Sequence, residues 1–185
     1  MPVIFANLLL LAMEARGLYI SVSRRKWGIF IYYTQISNIV ATIATVLLLA
    51  FGTNPAVTLI RYLGAVMLLM TAGVTVFVLI PLGGDPKSLL ISGNGIYHHT
   101  LCPILYLILY IFTDSHPGTS AAVLPVAITM MYSFIMLYLN YIGKVDGPYP
   151  FFRVRNQSVK ATVSWFCVLL AVICALSYAL IFIAR

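Results

Sequence analysis

An all-α, polytopic membrane protein built as a six-transmembrane-helix bundle is the fold class this 185-residue sequence predicts, on three observations. Hydrophobic residues make up 62% of the chain and charged residues only 8%, against about a quarter charged in a soluble domain. Apolar runs close to the ~20 residues that cross a bilayer recur along the chain. Between them lie short segments rich in glycine, proline and charge, which end helices.

The first run, Pro2 to Ser21, carries Glu14 and Arg16 but has no small-residue cleavage site, so it reads as a retained helix rather than a signal peptide. Ser23 to Lys26 closes it, and Trp27 to Phe51 forms the second span, ended by Gly52-Thr53-Asn54-Pro55. The third, Val57 to Pro81, stops at Gly83-Gly84-Asp85-Pro86-Lys87; the fourth, Ile96 to Phe112, stops at Asp114 to Ser120. Ala121 to Ile142 is the fifth, and after a long connection from Lys144 to Lys160 comes the sixth, Ala161 to Ala184. Residues 1–185 are thus expected to form one transmembrane domain.

The net charge of +7 sits in clusters between spans rather than in a continuous stripe, which excludes nucleic acid as a partner. Arg24, Arg25, Lys26, Lys87, Lys144, Arg153, Arg155 and Lys160 fall in the first, third and fifth connections, and none in the second and fourth. By the positive-inside rule the odd-numbered loops are cytoplasmic, in a multi-pass protein of the plasma (inner) membrane. Arg61 and Arg185 lie near the outer ends. Trp27, Tyr149, Phe151 and Phe152 suit an aromatic belt at the inner interface.

This topology gathers polar residues that are distant in sequence. Thr34 is expected about seven residues into the second helix, roughly 10 Å deep at 1.5 Å per residue. His98 and His99 enter the fourth helix from the same side, Glu14 and Arg16 lie near that end of the first, and Asn140 near that end of the fifth. Helical spacing puts Thr34, Ser37, Asn38, Thr42 and Thr45 on one stripe and Thr129, Ser133 and Asn140 on another. Both stripes should face the bundle interior, where most such residues hydrogen-bond helices together.

An ionisable group inside a bilayer is costly, so the histidine pair points to function. A hydroxyl within reach of imidazole becomes a nucleophile towards an ester, with histidine taking its proton. Donors such as Ser37, Asn38, Tyr33 or Tyr97 could stabilise the tetrahedral oxyanion. Cys102, one turn from His98, is an alternative nucleophile, but two residues at i and i+4 on one helix rarely hold in-line geometry. Cys167 and Cys174 read as core residues; three cysteines without ligand spacing indicate neither a disulfide framework nor a zinc site. His98 and His99 diverge by about 100° and His116 lies about 27 Å further along, which argues against a bis-histidine haem within one chain. No metal and no cofactor is expected.

The segments Tyr32-Tyr33-Thr34-Gln35-Ile36-Ser37-Asn38, His98-His99-Thr100-Leu101-Cys102-Pro103 and Gly147-Pro148-Tyr149-Pro150-Phe151-Phe152 stand in order on helix two, helix four and the fifth connection. With them the chain resembles, over nearly its whole length, the androgen-induced-gene and androgen-dependent TFPI-regulating membrane proteins and their microbial relatives. The resemblance implies a six-helix bundle and, from the animal members, an intramembrane threonine hydrolase that cleaves fatty acid esters of hydroxy fatty acids. Thr34 takes the place of the nucleophile. Counting back from Pro103 puts the base at His98 against the animal members, and the microbial pattern puts a histidine at His99, its rival. Glu14, Asn140 and Tyr149, at the same depth, are candidates for substrate binding, and the substrate is a lipid drawn from the bilayer.

Two other classes compete with this reading. A small transporter or proton-coupled channel would use Glu14, Arg16 and His98 as a relay, but the halves 1–90 and 91–185 show no convincing repeat. A non-catalytic sensor or scaffold would use the polar residues only as helix contacts. The sequence carries no signal for an oligomeric state.

Overall fold

A computed structural model describes residues 1–183. The chain forms six main helices, α1 (Pro2–Arg25), α2 (Tyr33–Phe51), α3 (Pro55–Val74), α4 (Cys102–Thr113), α5 (Val123–Tyr141) and α6 (Val159–Ile183), and no strand occurs among the described residues. With the short helical turns that extend some of them, all six are long and apolar enough to cross a membrane. Large apolar side chains such as Phe5, Leu9, Phe77, Phe112, Phe134 and Phe182 face outwards. An outside this apolar has lipid, not water, as its solvent, so the chain is a multi-pass integral membrane protein.

α3 is the hub. It packs against α2, α4, α5 and α6, and every residue from Arg61 to Leu68 is buried. Ala41 and Ala44 on α2 and Gly64 and Ala65 on α3 let these two helices approach closely, as small residues do between membrane helices. α3 starts where its sequence directs: Pro55 fills the first helical position and the Asn54 side chain accepts hydrogen bonds from the Ala56 and Val57 N–H groups, both at 3.1 Å. Both polar stripes turn inwards, with Ser37, Asn38, Thr45, Thr129, Ser133 and Asn140 buried.

Three departures from the sequence expectation matter for the site. α1 runs on to Arg25 instead of stopping at Ser21, and a tight 3-10 turn, Lys26–Ile31, replaces the start of the second span. Lys26 ends α1 at φ 49°, and Tyr32 is extended (φ −94°, ψ 125°), so α2 begins at Tyr33. Thr34 therefore stands in the first turn of its helix, not two turns inside. Hydropathy cannot see this break because Trp27 to Ile31 is as apolar as the helices it separates.

Secondly, α3 and α4 are extended by wide π-helical turns, Thr75–Leu79 and Ile96–Leu101, and the second of these holds both histidines. Such turns are rare and concentrate at functional sites. Thirdly, Tyr149, Phe151 and Phe152 do not form an interfacial belt; they are buried, with Phe151 against Trp165 and Phe152 against Tyr132. Trp27, fully at the surface and stacked near Phe30, is the one belt residue of the four.

Candidate functional site

The first turn of a helix leaves its N–H groups without intrahelical acceptors, and α2 meets that need with tyrosine hydroxyls. The Tyr33 N–H donates to the Tyr132 hydroxyl (3.1 Å), which itself donates to the Ile31 carbonyl (2.7 Å). The Thr34 N–H donates to the Tyr149 hydroxyl (3.2 Å), and the same hydroxyl lies 3.2 Å from the Thr34 Oγ1. Tyr149 is held by its stack on Phe151 and its edge contact with Tyr32. Burial holds the Tyr149 phenol above its ordinary pKa, against the pull of its hydrogen bonds to Thr34. It stays protonated and can donate.

The two histidines have different surroundings. His98 is fully buried; its Nδ1 lies 3.0 Å from the Gln35 Nε2 and its Nε2 lies 4.0 Å from Glu14. Gly17 of α1 makes room for it. A Cβ at that position would come within 2.3 Å of the His98 Nε2 and 2.9 Å of the Tyr97 Cβ. Gly17→Ala should therefore destabilise the bundle by about 1–3 kcal/mol, as overpacking does, and His98→Ala should restore part of the loss. Thermal unfolding in detergent measures both; an unperturbed Gly17→Ala protein overturns the close approach.

His99 is the histidine that reaches open space. Its Nδ1 lies 2.7 Å from the Thr75 Oγ1. The single hydroxyl proton of Thr75 goes to the Thr71 carbonyl (2.8 Å), so Thr75 accepts from the Nδ1–H. That tautomer leaves the Nε2 lone pair of His99 free. His99, Thr34, Tyr149 and Gln35 all line one cavity of about 360 Å³ at the basic end of the bundle, and His98 does not. The two ring nitrogens of His98, the base expected from the sequence, face Gln35 and Glu14. No hydrogen bond joins Thr34 to either histidine among the described residues, so a bridging water or the substrate would have to span the cavity.

The other expected residues fall around this centre. The Ser37 hydroxyl donates to the Thr34 carbonyl (3.0 Å) and meets Thr71 (2.8 Å), and the Asn38 amide donates to the same carbonyl (2.7 Å). Both therefore brace the backbone of α2, and neither lines the cavity where an oxyanion donor would have to stand. Tyr33 pairs its hydroxyl with Thr129 (2.7 Å) and Tyr97 packs half-buried on the core. Asn140 ties down the fifth connection, donating to the Val145 carbonyl and accepting from the Arg155 N–H. Arg16 does not join Glu14; it is exposed and sits over Tyr19. Cys102 is fully buried, which leaves the alternative nucleophile without access.

Sequence reasoning missed Tyr132, Gln35 and Thr75. Gln35 lies inside the segment Tyr32 to Asn38, and Thr75 stands four residues after Thr71, so the signal for both is their spacing from neighbouring polar positions. The pairing of Tyr132 with a helix start has no local signal, since it joins residues 99 apart.

The cavity also adjoins a narrow apolar cleft between α2, α3, α5 and α6, lined by Met70, Val74, Phe151, Phe152 and Leu169. Thr34, Leu79 and Tyr149 line both spaces. Comparison of the chain with protein-family models, with curated proteins and with solved structures finds no match.

Proposed function

We propose that this protein is an intramembrane lipid ester hydrolase with Thr34 as nucleophile, His99 as base and Tyr149 as oxyanion donor. The observation that carries the proposal is that these three side chains line one cavity, with Thr34 also lining a small apolar cleft. An acyl chain from the bilayer would have to widen the cleft, whose free volume is about 30 Å³, to bring the ester carbonyl to Thr34.

Thr34 Oγ1 attacks the carbonyl carbon while its proton passes, through one water, to the His99 Nε2. The carbonyl π electrons move to oxygen, and the Tyr149 O–H, already at the Thr34 hydroxyl, donates to the oxyanion. The first-turn position of Thr34 adds the positive end of the α2 dipole to the same task. Collapse breaks the ester C–O bond, the imidazolium returns its proton to the departing alcohol, and an acyl-threonine remains. Water activated by His99 then releases the acid and restores the hydroxyl. The His99 Nδ1–H held by Thr75 keeps the ring in the tautomer this requires.

Fatty acid esters of hydroxy fatty acids, the substrates implied by the resemblance, would place one acyl chain in the widened cleft and their carboxylate end in the polar cavity. We also propose that the basic end faces the cytoplasm of a plasma membrane, which gives the acyl-enzyme its water. A proton relay through Glu14, Arg16 and His98 is disfavoured because Arg16 points away from the other two.

A fluorophosphonate probe should label the detergent-purified protein, and Thr34→Ala should abolish the labelling. Labelling that survives Thr34→Ala but disappears with Cys102→Ala overturns the threonine assignment. Tyr149→Phe should keep the aromatic packing while lowering the hydrolysis rate by about 100- to 1,000-fold, the effect of removing one oxyanion donor. Initial rates on a lipid ester at equal amounts of folded protein check this, and an unchanged rate removes Tyr149 from the reaction.

A further inference from the structure

The mouth of the polar cavity carries two positive charges with no compensating acid. Arg24 and Arg25, at the end of α1, both line it; its lining includes no aspartate or glutamate. Neither arginine has an acidic partner among the described residues, where Asp114 pairs with Arg61, Asp146 pairs with Arg155, and Glu14 is buried 4.0 Å from the His98 ring. Both guanidinium groups are nonetheless placed. Arg25 lies over the Tyr32 ring, 4.7 Å from its centroid, and donates to the Tyr32 hydroxyl. Arg24 packs on Gly93, whose φ of +60° suits glycine and whose missing Cβ leaves room for the guanidinium at 2.8 Å. Asn94 donates to Ser21 (3.0 Å) on the same wall, adding neutral polar groups.

We propose that this cavity binds the phosphate monoester headgroup of a single-chain lipid, with its phosphate on Arg24 and Arg25 and its chain in the apolar cleft past Thr34. Arginine forks match phosphate oxygens. A phosphate monoester carries close to two negative charges near neutral pH, the number of uncompensated cations at the mouth, whereas a carboxylate carries one. The narrow apolar cleft, of about 30 Å³, shares Thr34, Leu79 and Tyr149 with the cavity, and it would have to widen to take the one chain. Cleavage of an ester link in such a lipid at Thr34 rests on the hydrolase reading; the binding does not.

The test uses the full-length protein in detergent and an ether-linked probe, 1-O-hexadecylglycerol 3-phosphate, which no esterase can cleave. Affinity is compared with that for hexadecylglycerol, palmitate and inorganic phosphate. Wild-type protein should prefer the phosphate lipid by at least about tenfold over each of the three, and the Arg24→Gln/Arg25→Gln variant should lose that preference. The Arg24→Lys/Arg25→Lys variant keeps the charge and should retain part of it, which separates lost charge from lost fold. A preference below tenfold over hexadecylglycerol overturns the headgroup site. One below tenfold over palmitate makes it a general anion site, and one below tenfold over inorganic phosphate removes the lipid; both overturn the proposal, as does a preference that survives the double glutamine variant. Because the probe has no ester, failure of the fluorophosphonate experiment leaves these outcomes untouched.

Discussion

His99→Ala is expected to lower kcat/KM on a lipid ester by about 100- to 10,000-fold, the contribution of a positioned general base. At 1.36 kcal/mol per tenfold this corresponds to about 3–5 kcal/mol of transition-state stabilisation. His98→Ala should act differently. It removes the Gln35 partner at 3.0 Å and the imidazole 4.0 Å from Glu14, which costs stability of about 1–3 kcal/mol, while the rate per folded molecule falls far less than with His99→Ala. Rates normalised to the folded fraction, measured alongside thermal unfolding, separate the two effects. The reverse ranking, with His98→Ala the slower enzyme per folded molecule, returns the role of base to His98 and sinks the assignment made from the cavity. A third variant, Thr75→Val, tests the tautomer argument. It removes the acceptor of the His99 Nδ1–H and should reduce kcat with little change in KM, whereas a purely structural role for Thr75 would show in stability alone.

The histidine pair shows how far sequence reasoning carries and where it stops. That two costly residues in an apolar chain belong to a polar centre followed from membrane energetics, and the inward-facing stripes on α2 and α5 followed from helical spacing. The choice between the histidines did not, because it turns on a π-helical turn. A regular helix would project the two rings about 100° apart, but which one meets the cavity depends on how that turn sits against α1 and α3. Gly17 and Thr75 decide it, and both lie far away in the chain. The same limit explains Thr34. Its value as a candidate was legible, but its place in a first turn depends on the break at Lys26, which no apolar pattern records. The fifth connection misled for the opposite reason: its aromatic residues have the composition of an interfacial belt, and only their contacts, Tyr149 with Thr34, Phe151 with Trp165 and Phe152 with Tyr132, show that the loop plugs into the bundle.

Arg61 also looked peripheral in sequence, a lone cation near a helix end, and it is the most consequential residue away from the cavity. It is 1% exposed. Its Nε donates to Asp114 at 2.6 Å, its Nη1 donates to Thr45 at 3.0 Å, and its guanidinium lies 4.1 Å from the Tyr106 ring centroid. Tyr106 in turn donates to the Arg61 carbonyl at 3.0 Å. This one side chain joins α2, α3 and the end of α4. Arg61→Ala should destabilise the protein by about 3–5 kcal/mol, because the Asp114 carboxylate would be left buried without its counter-charge. The pair itself need not be stabilising, since removing two charges from water offsets most of their attraction. Replacing both partners in Arg61→Met/Asp114→Leu should therefore recover most of the loss, a result no account based on a favourable ion pair would anticipate. Thermal or denaturant unfolding in detergent for the wild type, both single variants and the double variant completes the cycle. Losses that simply add in the double variant would mean that the two residues contribute independently, and the buried pair would then not be the element that holds this end of the bundle together.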